Sequence, residues 1–209
     1  MFKFEKISKY KDIDLPAPVR KTKGSACYDM VCAEDTIVYP VFRLLDNLDT
    51  INSERKITPE IKGVLKTMIN DGKEVAAQEL VDSITTCSID EVCALTKETG
   101  FKPTLIPTGY KAQFPEGYSL DLHLRSSSAL KCWLMMSNSV GIVDSDYYNN
   151  PDNEGHIHFM VINLLPFPVK IKKGEIIGQA KFVKCEFTDD DELFDKQERI
   201  SGFGSTTKK

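Results

Sequence analysis

The sequence places two carboxylates and an aromatic ring directly after a short run of strand-forming residues. Asp144, Asp146 and Tyr147 follow the apolar run at positions 140–143, where Gly141 permits turn geometry or a close approach of the backbone to another group. Side chains alternate between the two faces of a strand, so we expect Asp144 and Asp146 on one face and Tyr147 on the other, unless a turn intervenes. This pattern indicates a hairpin whose main chain reads a flat ligand, while a ring and a carboxylate serve different parts of one substrate.

Five segments of the chain resemble, in the same order, the five sequence motifs of the trimeric dUTP diphosphatases (dUTPases). In chain order, they are Gly24–Met30, Arg125–Ala129, Asn138–Tyr147, Gly174–Gln179 and Gly202–Thr206. Each segment alone is a weak signal, but five in the family's order are a strong one. The resemblance covers residues 1–42 and 102–209, and it leaves the middle of the chain unexplained.

The resemblance implies that the protein hydrolyses dUTP to dUMP and diphosphate. This reaction limits the incorporation of uracil into DNA and supplies dUMP for dTTP synthesis. It requires an activated water, neutralisation of phosphate charge and exclusion of competing water. In the family's roles, Asp144 is the general base that holds and deprotonates the attacking water, and Asp146 supports the hairpin. Taken alone, the two carboxylates could equally cap a turn.

The third motif also carries the residues that select the nucleoside. By resemblance, Tyr147 packs beneath the deoxyribose, so a 2′-hydroxyl would clash or lose its hydrogen-bond partner at a cost of about 1–3 kcal/mol. Asn138 and the backbone from Gly141 to Val143 resemble the family's uracil reader. A tight hairpin at this point would exclude the methyl group of thymine.

Other motifs supply the candidate phosphate contacts. Arg125 and Ser126 match the family's phosphate-binding pair, a forked donor beside a compact hydroxyl, and Ser127 follows them where the family has glycine. Gln179 matches the glutamine that orients phosphate and water. Asp29 matches the first-motif aspartate, which holds a magnesium-bound water without ligating the metal, and the triphosphate itself would carry the Mg²⁺.

The fifth motif has the composition of a lid that closes over substrate. Phe203 would stack on the base, Gly204 would give mobility, and Ser205 and Arg199 would bind the γ-phosphate. The alternative is a disordered terminus, which is the usual fate of a chain end. Both descriptions hold if the lid becomes ordered when substrate binds.

Several positions depart from the family pattern. Cys27 stands where the family has glycine, Ile176 replaces an arginine, and Arg199 lies closer to Phe203 than in the common form. A longer segment, residues 148–155, replaces the arginine and glycine that follow the third motif. The departures bear on the phosphate contacts, and none removes a candidate catalytic group.

Short strands and turns are predicted on both sides of a helical middle segment. Residues 2–42 and the chain from Pro103 onward show apolar and polar alternation broken by proline and glycine, whereas residues 57–99 show helical spacing. We therefore predict a mainly β fold with a small α-helical insertion. The predicted parts are a barrel domain (1–42 and 102–198), the insertion (43–101) and the lid (199–209). The resemblance adds a jelly-roll-like β-barrel and a homotrimer with shared active sites.

Composition and charge exclude several other classes of protein. No apolar run approaches the ~20 residues of a membrane helix, and the N-terminus is a poor secretory signal, so we expect a cytoplasmic protein that does not bind membranes. The formal net charge of −4 argues against direct nucleic-acid binding. The six cysteines are expected to be reduced, and the three histidines lack the spacing of a structural zinc site.

Two other functions remain open at the level of the sequence. One is a dCTP deaminase or a bifunctional relative, which shares the barrel; the register of Asn138 with Tyr147 and the fifth motif argue against it. The other is a regulatory module that docks a protein partner through residues 57–99. We favour a structural decoration on the trimer rim for that insertion. The insertion and the departures favour a phage or viral member of the family.

Overall fold

The computed structural model describes residues 1–40, 67 and 102–191. Apart from Lys102, the two long ranges belong to the first of two units in the chain, Met1–Pro40 with Pro103–Lys209, and the second unit is Val41–Lys102. Thr67, the one described residue within 43–101, lies in a helix. The rest of the predicted insertion and the predicted lid at 199–209 lie outside the described residues.

Ranges 1–40 and 102–191 form mainly β structure, as predicted. Their eleven strands are β1 (Lys3–Lys6), β2 (Tyr28–Val31), β3 (Thr36–Val38), β4 (Thr104–Pro107), β5 (Tyr110–Gln113), β6 (Tyr118–Leu124), β7 (Leu134–Met136), β8 (Gly141–Asp144), β9 (His158–Asn163), β10 (Val169–Ile171) and β11 (Ile176–Lys184). Their helices are α1 (Ser126–Cys132) and two 3₁₀ turns (Ser8–Tyr10 and Ser145–Tyr147). No helix among the described residues is long and apolar enough to cross a membrane.

Alternating apolar residues determine which face of β6 is buried. Leu120 and Leu122 are buried, whereas Asp121 and His123 on the opposite face are only partly covered. The half-buried strand predicted here is confirmed. The similar pattern predicted through Phe187 is wrong at its end, because β11 stops at Lys184 and Phe187 is 62% exposed.

The strands form four antiparallel sheets. The largest has the order β2-β11-β6-β8, the next has the order β4-β9-β7, and β1-β5 and β10-β3 are two-stranded. The two larger sheets pack face to face around one apolar core, which includes Leu120 of the first and Phe159 of the second. Gly178 of β11 shows how close they are, since a Cβ there would lie 2.2 Å from the Phe159 ring.

Two local features differ from the sequence prediction. Residues 126–132 form the helix α1, which Trp133 ends in the left-handed region with φ 51°; seven residues are too few to show a helical period. The sequence at 172–175 predicts a hairpin-like turn. It does contain a Glu175 N to Lys172 O hydrogen bond of 3.0 Å, but β10 and β11, on its two sides, belong to different sheets.

Candidate functional site

The third motif forms a connection between two sheets. Strand β7 pairs with β9, and β8 pairs with β6, so the predicted hairpin ladder between them is absent. The chain turns at 137–140, where Ser139 has φ 62° and the Val140 N–H donates to the Asn138 carbonyl at 2.7 Å. The connection is therefore a tight arch that brings Asn138 to the start of β8.

The predicted alternation of the two carboxylates stops at the end of β8. Asp144 is the last strand residue, opposite Ser119 of β6, and a 3₁₀ turn begins at Ser145. Asp146 therefore does not continue the strand face of Asp144, and the proviso of an intervening turn applies. Both carboxylates are exposed, whereas Tyr147 is turned inward and only 9% exposed.

A cleft of about 180 Å³ opens beside this arch. Its lining includes five predicted site residues: Asn138, Gly141, Val143, Asp144 and Tyr147. Its other lining residues are Leu122, Ile142, His156, Ile157, His158 and Met160. The cleft therefore combines an exposed carboxylate, an amide side chain, an aromatic ring and the backbone of an edge strand.

The Tyr147 ring is fixed by hydrogen bonds at its hydroxyl. This group donates to the His156 carbonyl at 3.1 Å and accepts from Asn153 Nδ2 at 2.8 Å. A buried tyrosine hydroxyl needs such partners. The ring consequently presents its apolar body to the cleft, with its polar end engaged elsewhere.

Two histidines of the cleft were not predicted as site residues. The buried His156 accepts a hydrogen bond from the Gly109 N–H at its Nε2 (2.9 Å), and burial, followed by the charge of His158, lowers its pKa to about 3. His158 donates from Nδ1 to the His156 carbonyl at 2.9 Å, and burial also lowers its pKa. A spacing of two residues is compatible with a shared strand face and does not by itself indicate a site.

The predicted phosphate contacts lie elsewhere on the chain. Arg125 follows β6 directly and is partly covered, and the exposed Ser126 and Ser127 begin α1. Arg125 and Ser127 line a second cleft of about 360 Å³, together with Lys131 and Lys170. Glu175 also lines this cleft, and Lys170 is paired with Asp35 at 2.8 Å, so Arg125 and Lys131 supply its excess of positive charge.

Asp29 and Gln179 are neighbours on the large sheet. They lie directly opposite each other on β2 and β11, and Gln179 lies opposite His123 of β6. Gln179 Nε2 donates to Asp29 Oδ1 at 3.2 Å. Asp29 is 5% exposed, yet its Oδ2 and the buried Nε2 of His123 have no hydrogen-bond partner among the described residues. We call these three residues the polar row.

One chain does not bring the polar row to Asp144. Both lie on the same face of the large sheet, because Ser119, opposite Asp144, and His123 have the same strand parity. Asp29, on β2, lies three strands away from Asp144 across the sheet and four residues away along the strands. This corresponds to a distance of about 20 Å. The predicted residues Arg199, Phe203, Gly204 and Ser205 lie outside the described residues.

Comparisons with known proteins agree on one family. No protein-family model matches the chain. The deoxyuridine 5′-triphosphate nucleotidohydrolase of Lactococcus lactis subsp. lactis is 48% identical over 102 residues, which cover 49% of this chain and 68% of that protein. The solved structure of a dUTPase from Streptococcus mutans is similar with a TM-score of 0.57 and 28% identity, covering 89% of this chain and 98% of that chain. A dUTPase from phage phi11 of S. aureus shares the fold, with a TM-score of 0.52 and 14% identity, over 98% of this chain and 99% of that chain.

Proposed function

Because the chain belongs to the dUTPase family, we propose that it hydrolyses dUTP to dUMP and diphosphate. One observation carries this proposal: the cleft beside β8 gathers the predicted base, sugar and water contacts in one place. The reaction limits uracil incorporation into DNA and supplies dUMP for dTTP synthesis.

Asp144 is the general base in this proposal. It ends β8 at the mouth of the cleft and is exposed, so a water held by its carboxylate can reach a phosphate placed over the sheet. A positioned base of this kind contributes about 10²–10⁴-fold to a rate. Its task is to hold one water in line with the α-phosphate and to take the proton as the bond forms.

The edge of β8 reads the uracil base. In the strand order β2-β11-β6-β8, strand β8 lies at the edge, so only one side of its backbone is used by the ladder with β6. The other side offers N–H and C=O groups from Gly141 to Val143, and Asn138 adds an amide that both donates and accepts. Uracil presents alternating acceptors and donor on its pairing edge, which such groups can satisfy.

Tyr147 selects the sugar. Its ring is buried and its hydroxyl is already paired with His156 and Asn153. A 2′-hydroxyl placed against the ring would therefore find no partner there, at a cost of about 1–3 kcal/mol. This penalty disfavours UTP relative to dUTP.

The triphosphate is bound by Arg125, Ser126, Ser127 and Gln179. The C-terminal residues Arg199, Phe203, Gly204 and Ser205 keep the role that the resemblance implies, a lid over the bound base and γ-phosphate. Cleavage occurs between the α- and β-phosphates, and these donors hold the diphosphate as it leaves.

The polar row fits an indirect magnesium site. Asp29 Oδ2 is a buried acceptor without a hydrogen-bond partner among the described residues, as expected for an oxygen that accepts from a metal-bound water. When bound, Mg²⁺ neutralises the charge of the triphosphate. Gln179 orients Asp29 through the 3.2 Å hydrogen bond, which leaves Oδ2 for that water.

We further propose a homotrimer with shared active sites. Asp144 and Asp29 lie about 20 Å apart in one chain, at different strands of the sheet. A second copy that places its polar row beside the cleft would complete the site, since symmetric association brings distant patches of identical chains together. The insertion at 43–101 and a protein partner at 57–99 stay predictions.

The test is diphosphate release from dUTP, dCTP, dTTP and UTP by the purified protein with Mg²⁺. We expect rapid release from dUTP alone, with dUMP as the second product. Ammonia release from dCTP would instead favour the deaminase alternative. No turnover of any nucleotide by a folded trimer would contradict the proposed function.

A further inference from the structure

We propose that Asn153 is a positioning residue that fixes the Tyr147 ring and thereby sharpens the choice of deoxyribose over ribose. This inference rests on the sugar-selecting role proposed for Tyr147. It concerns the segment at 148–155, which departs from the family pattern that the rest of the site resembles.

Asn153 holds the polar end of the ring. Its Nδ2 donates to the Tyr147 hydroxyl at 2.8 Å, and that hydroxyl donates in turn to the His156 carbonyl at 3.1 Å. Because both partners are engaged, the hydroxyl cannot shift far without losing a hydrogen bond worth about 1 kcal/mol. The ring plane that faces the cleft is fixed by this pair.

The amide of Asn153 is itself held in place. Its Oδ1 accepts from Asn150 Nδ2 at 2.9 Å and from the Gly155 N–H at 3.0 Å, which fixes which end of the amide faces Tyr147. Asn150 is 4% exposed, and its Nδ2 also donates to the Tyr147 carbonyl at 2.9 Å. The same loop therefore holds Tyr147 at both its main chain and its hydroxyl.

The loop is packed against Tyr147 and anchored on its outer side. Gly155 has φ +80°, and a Cβ there would lie 2.5 Å from the Tyr147 carbonyl oxygen. On the outer side, Glu154 accepts from the Ser8 N–H at 3.1 Å, and Lys111 donates to Asn149 at 2.5 Å. These contacts tie the loop to the β1-β5 side of the molecule, so it is a fixed support for the ring.

A fixed ring matters for selectivity because the rejected group is small. A 2′-hydroxyl adds one oxygen to the sugar, and a ring that could shift by about 1 Å would accommodate it or let it find a partner. Holding the hydroxyl of Tyr147 therefore raises the ratio of kcat/KM for dUTP to kcat/KM for UTP. It does so without Asn153 touching the substrate.

The experiment breaks the same hydrogen bond from either side. Asn153→Asp keeps the Oδ1 acceptor for Asn150 and Gly155 and replaces the donor to Tyr147 with a carboxylate oxygen. The Tyr147 hydroxyl has a single proton, so it can donate either to this oxygen or to the His156 carbonyl, and the present pair of hydrogen bonds is lost. Tyr147→Phe removes the hydroxyl. We expect each variant to lower the dUTP/UTP selectivity ratio about tenfold, mainly through KM. In the double variant the two effects should not add, because they remove one shared interaction. Asn149→Asp, on the same loop but facing Lys111, is the matched control and should leave the ratio unchanged.

The outcomes separate the inference from the function it rests on. Tyr147→Ala that leaves sugar selectivity unchanged would overturn the role of Tyr147 itself. A loss of selectivity in Tyr147→Ala with wild-type selectivity in Asn153→Asp would overturn only the positioning role of Asn153. Additive effects in the double variant would also overturn it, since Asn153 would then act on the loop and not through the hydroxyl. If Asn153→Asp does not fold, Tyr147→Phe alone still tests whether the paired hydroxyl sets the ratio.

Discussion

The cleft beside β8 and the polar row differ in how completely the chain satisfies their polar groups. In the cleft, the Tyr147 hydroxyl, the buried His156 and the partly buried His158 have hydrogen-bond partners within the chain. In the polar row, Asp29 Oδ2 and His123 Nε2 are buried with no partner among the described residues. Buried polar groups are usually paired. The polar groups named here are thus paired within the cleft, whereas the polar row leaves two buried polar atoms unpaired among the described residues.

The two regions nevertheless share one sheet. Strand β6 carries His123 next to the polar row and Ser119 opposite Asp144. The same alternation of side chains that buries Leu120 and Leu122 leaves the other face polar from one region to the other. A single sheet therefore carries both the polar row and Asp144 on one face.

The largest expected effect comes from the cleft. Asp144→Asn should lower kcat for dUTP by about 10²–10⁴-fold, because the amide cannot accept the proton of the attacking water. The fold should be unchanged, since Asp144 is exposed at the end of its strand. Diphosphate release and a thermal unfolding curve measure the two quantities.

Asp146→Asn is the matched control for this variant. It is also exposed, two residues further on in the 3₁₀ turn, and Asp146→Asn removes the same charge without removing the proposed base, so turnover should fall far less than in Asp144→Asn. Turnover close to that of the wild type in Asp144→Asn would contradict the assignment of the base.

The two regions show which parts of the fold and of the candidate site the sequence predicts. The motif spacing indicated that Asn138, Gly141 and Asp144 belong together, and the structure places them in one cleft. The mainly β class followed from short alternating strands. Pairing did not follow, because the residues of β7 and β8 look like two arms of a hairpin while each binds a strand far away in sequence. Ladder partners depend on long-range contacts that local alternation does not encode.

Two glycines allow the packing of the regions to be compared. In Gly178→Ala, next to Gln179, the new Cβ would lie 2.2 Å from the fully buried Phe159 ring and 2.7 Å from the His123 carbonyl oxygen. Neither the buried Phe159 ring nor the His123 backbone can move aside easily, so we expect a loss of about 3 kcal/mol in the free energy of unfolding. In Gly141→Ala the nearest atoms are Leu122 Cβ at 3.2 Å and the ends of the Leu122 and Met136 side chains at 3.3 Å, so a shift of a few tenths of an ångström makes room. That variant should lose less than about 1 kcal/mol.

Urea unfolding of both variants measures this difference. Equal losses would mean that the sheet adjusts at β11 as easily as at β8, and the expected difference in packing between the two regions would be wrong.

Titration distinguishes the cleft in a third way. Burial lowers the pKa of His156 from 6.5 to about 3. Between these two pH values, the imidazole of His156 is neutral in the folded protein and binds a proton in the unfolded chain. This contribution to stability is fully present above the unfolded pKa and is lost as the pH falls toward the folded pKa. From pH 7 to pH 5 we expect a loss of about 2 kcal/mol in the free energy of unfolding.

The pH interval isolates the histidines from the carboxylates. Carboxyl groups with a lowered pKa, such as Glu34, change the free energy of unfolding mostly below pH 4.5, their ordinary pKa, where their stabilising contribution is lost. His158, whose pKa burial also lowers, acts in the same direction as His156. Urea unfolding of wild type and His156→Gln at pH 7 and pH 5 should show a clearly smaller pH dependence in the variant, and equal dependence would refute the assignment.

The buried histidines also show why part of the site escaped sequence prediction. A pair of histidines two residues apart is compatible with an exposed strand, a metal site or a buried network. The choice is made by Gly109, which lies 47 residues before His156 in the chain and donates to it. Likewise, the loop at 148–155 looked only like a departure from the motif pattern. Its role emerges from the hydrogen bonds of Asn150 and Asn153, which depend on the folded loop.

The smallest expected effect comes from the polar row. Asp29→Asn keeps the acceptor for Gln179 and removes the charge that would hold a magnesium-bound water. Outer contacts of this type change metal affinity by about 10–100-fold, so we expect about a tenfold rise in the Mg²⁺ concentration for half-maximal turnover. The free energy of unfolding should fall little, because the carboxylate oxygen that the substitution replaces is buried and unpaired and is therefore itself costly in the free protein. Calorimetric titration of a non-hydrolysable dUTP analogue with and without Mg²⁺ provides a second readout. Asp121→Asn, on the same sheet face but paired with Ser119, is the control, and an unchanged Mg²⁺ dependence in Asp29→Asn would remove the metal from the polar row.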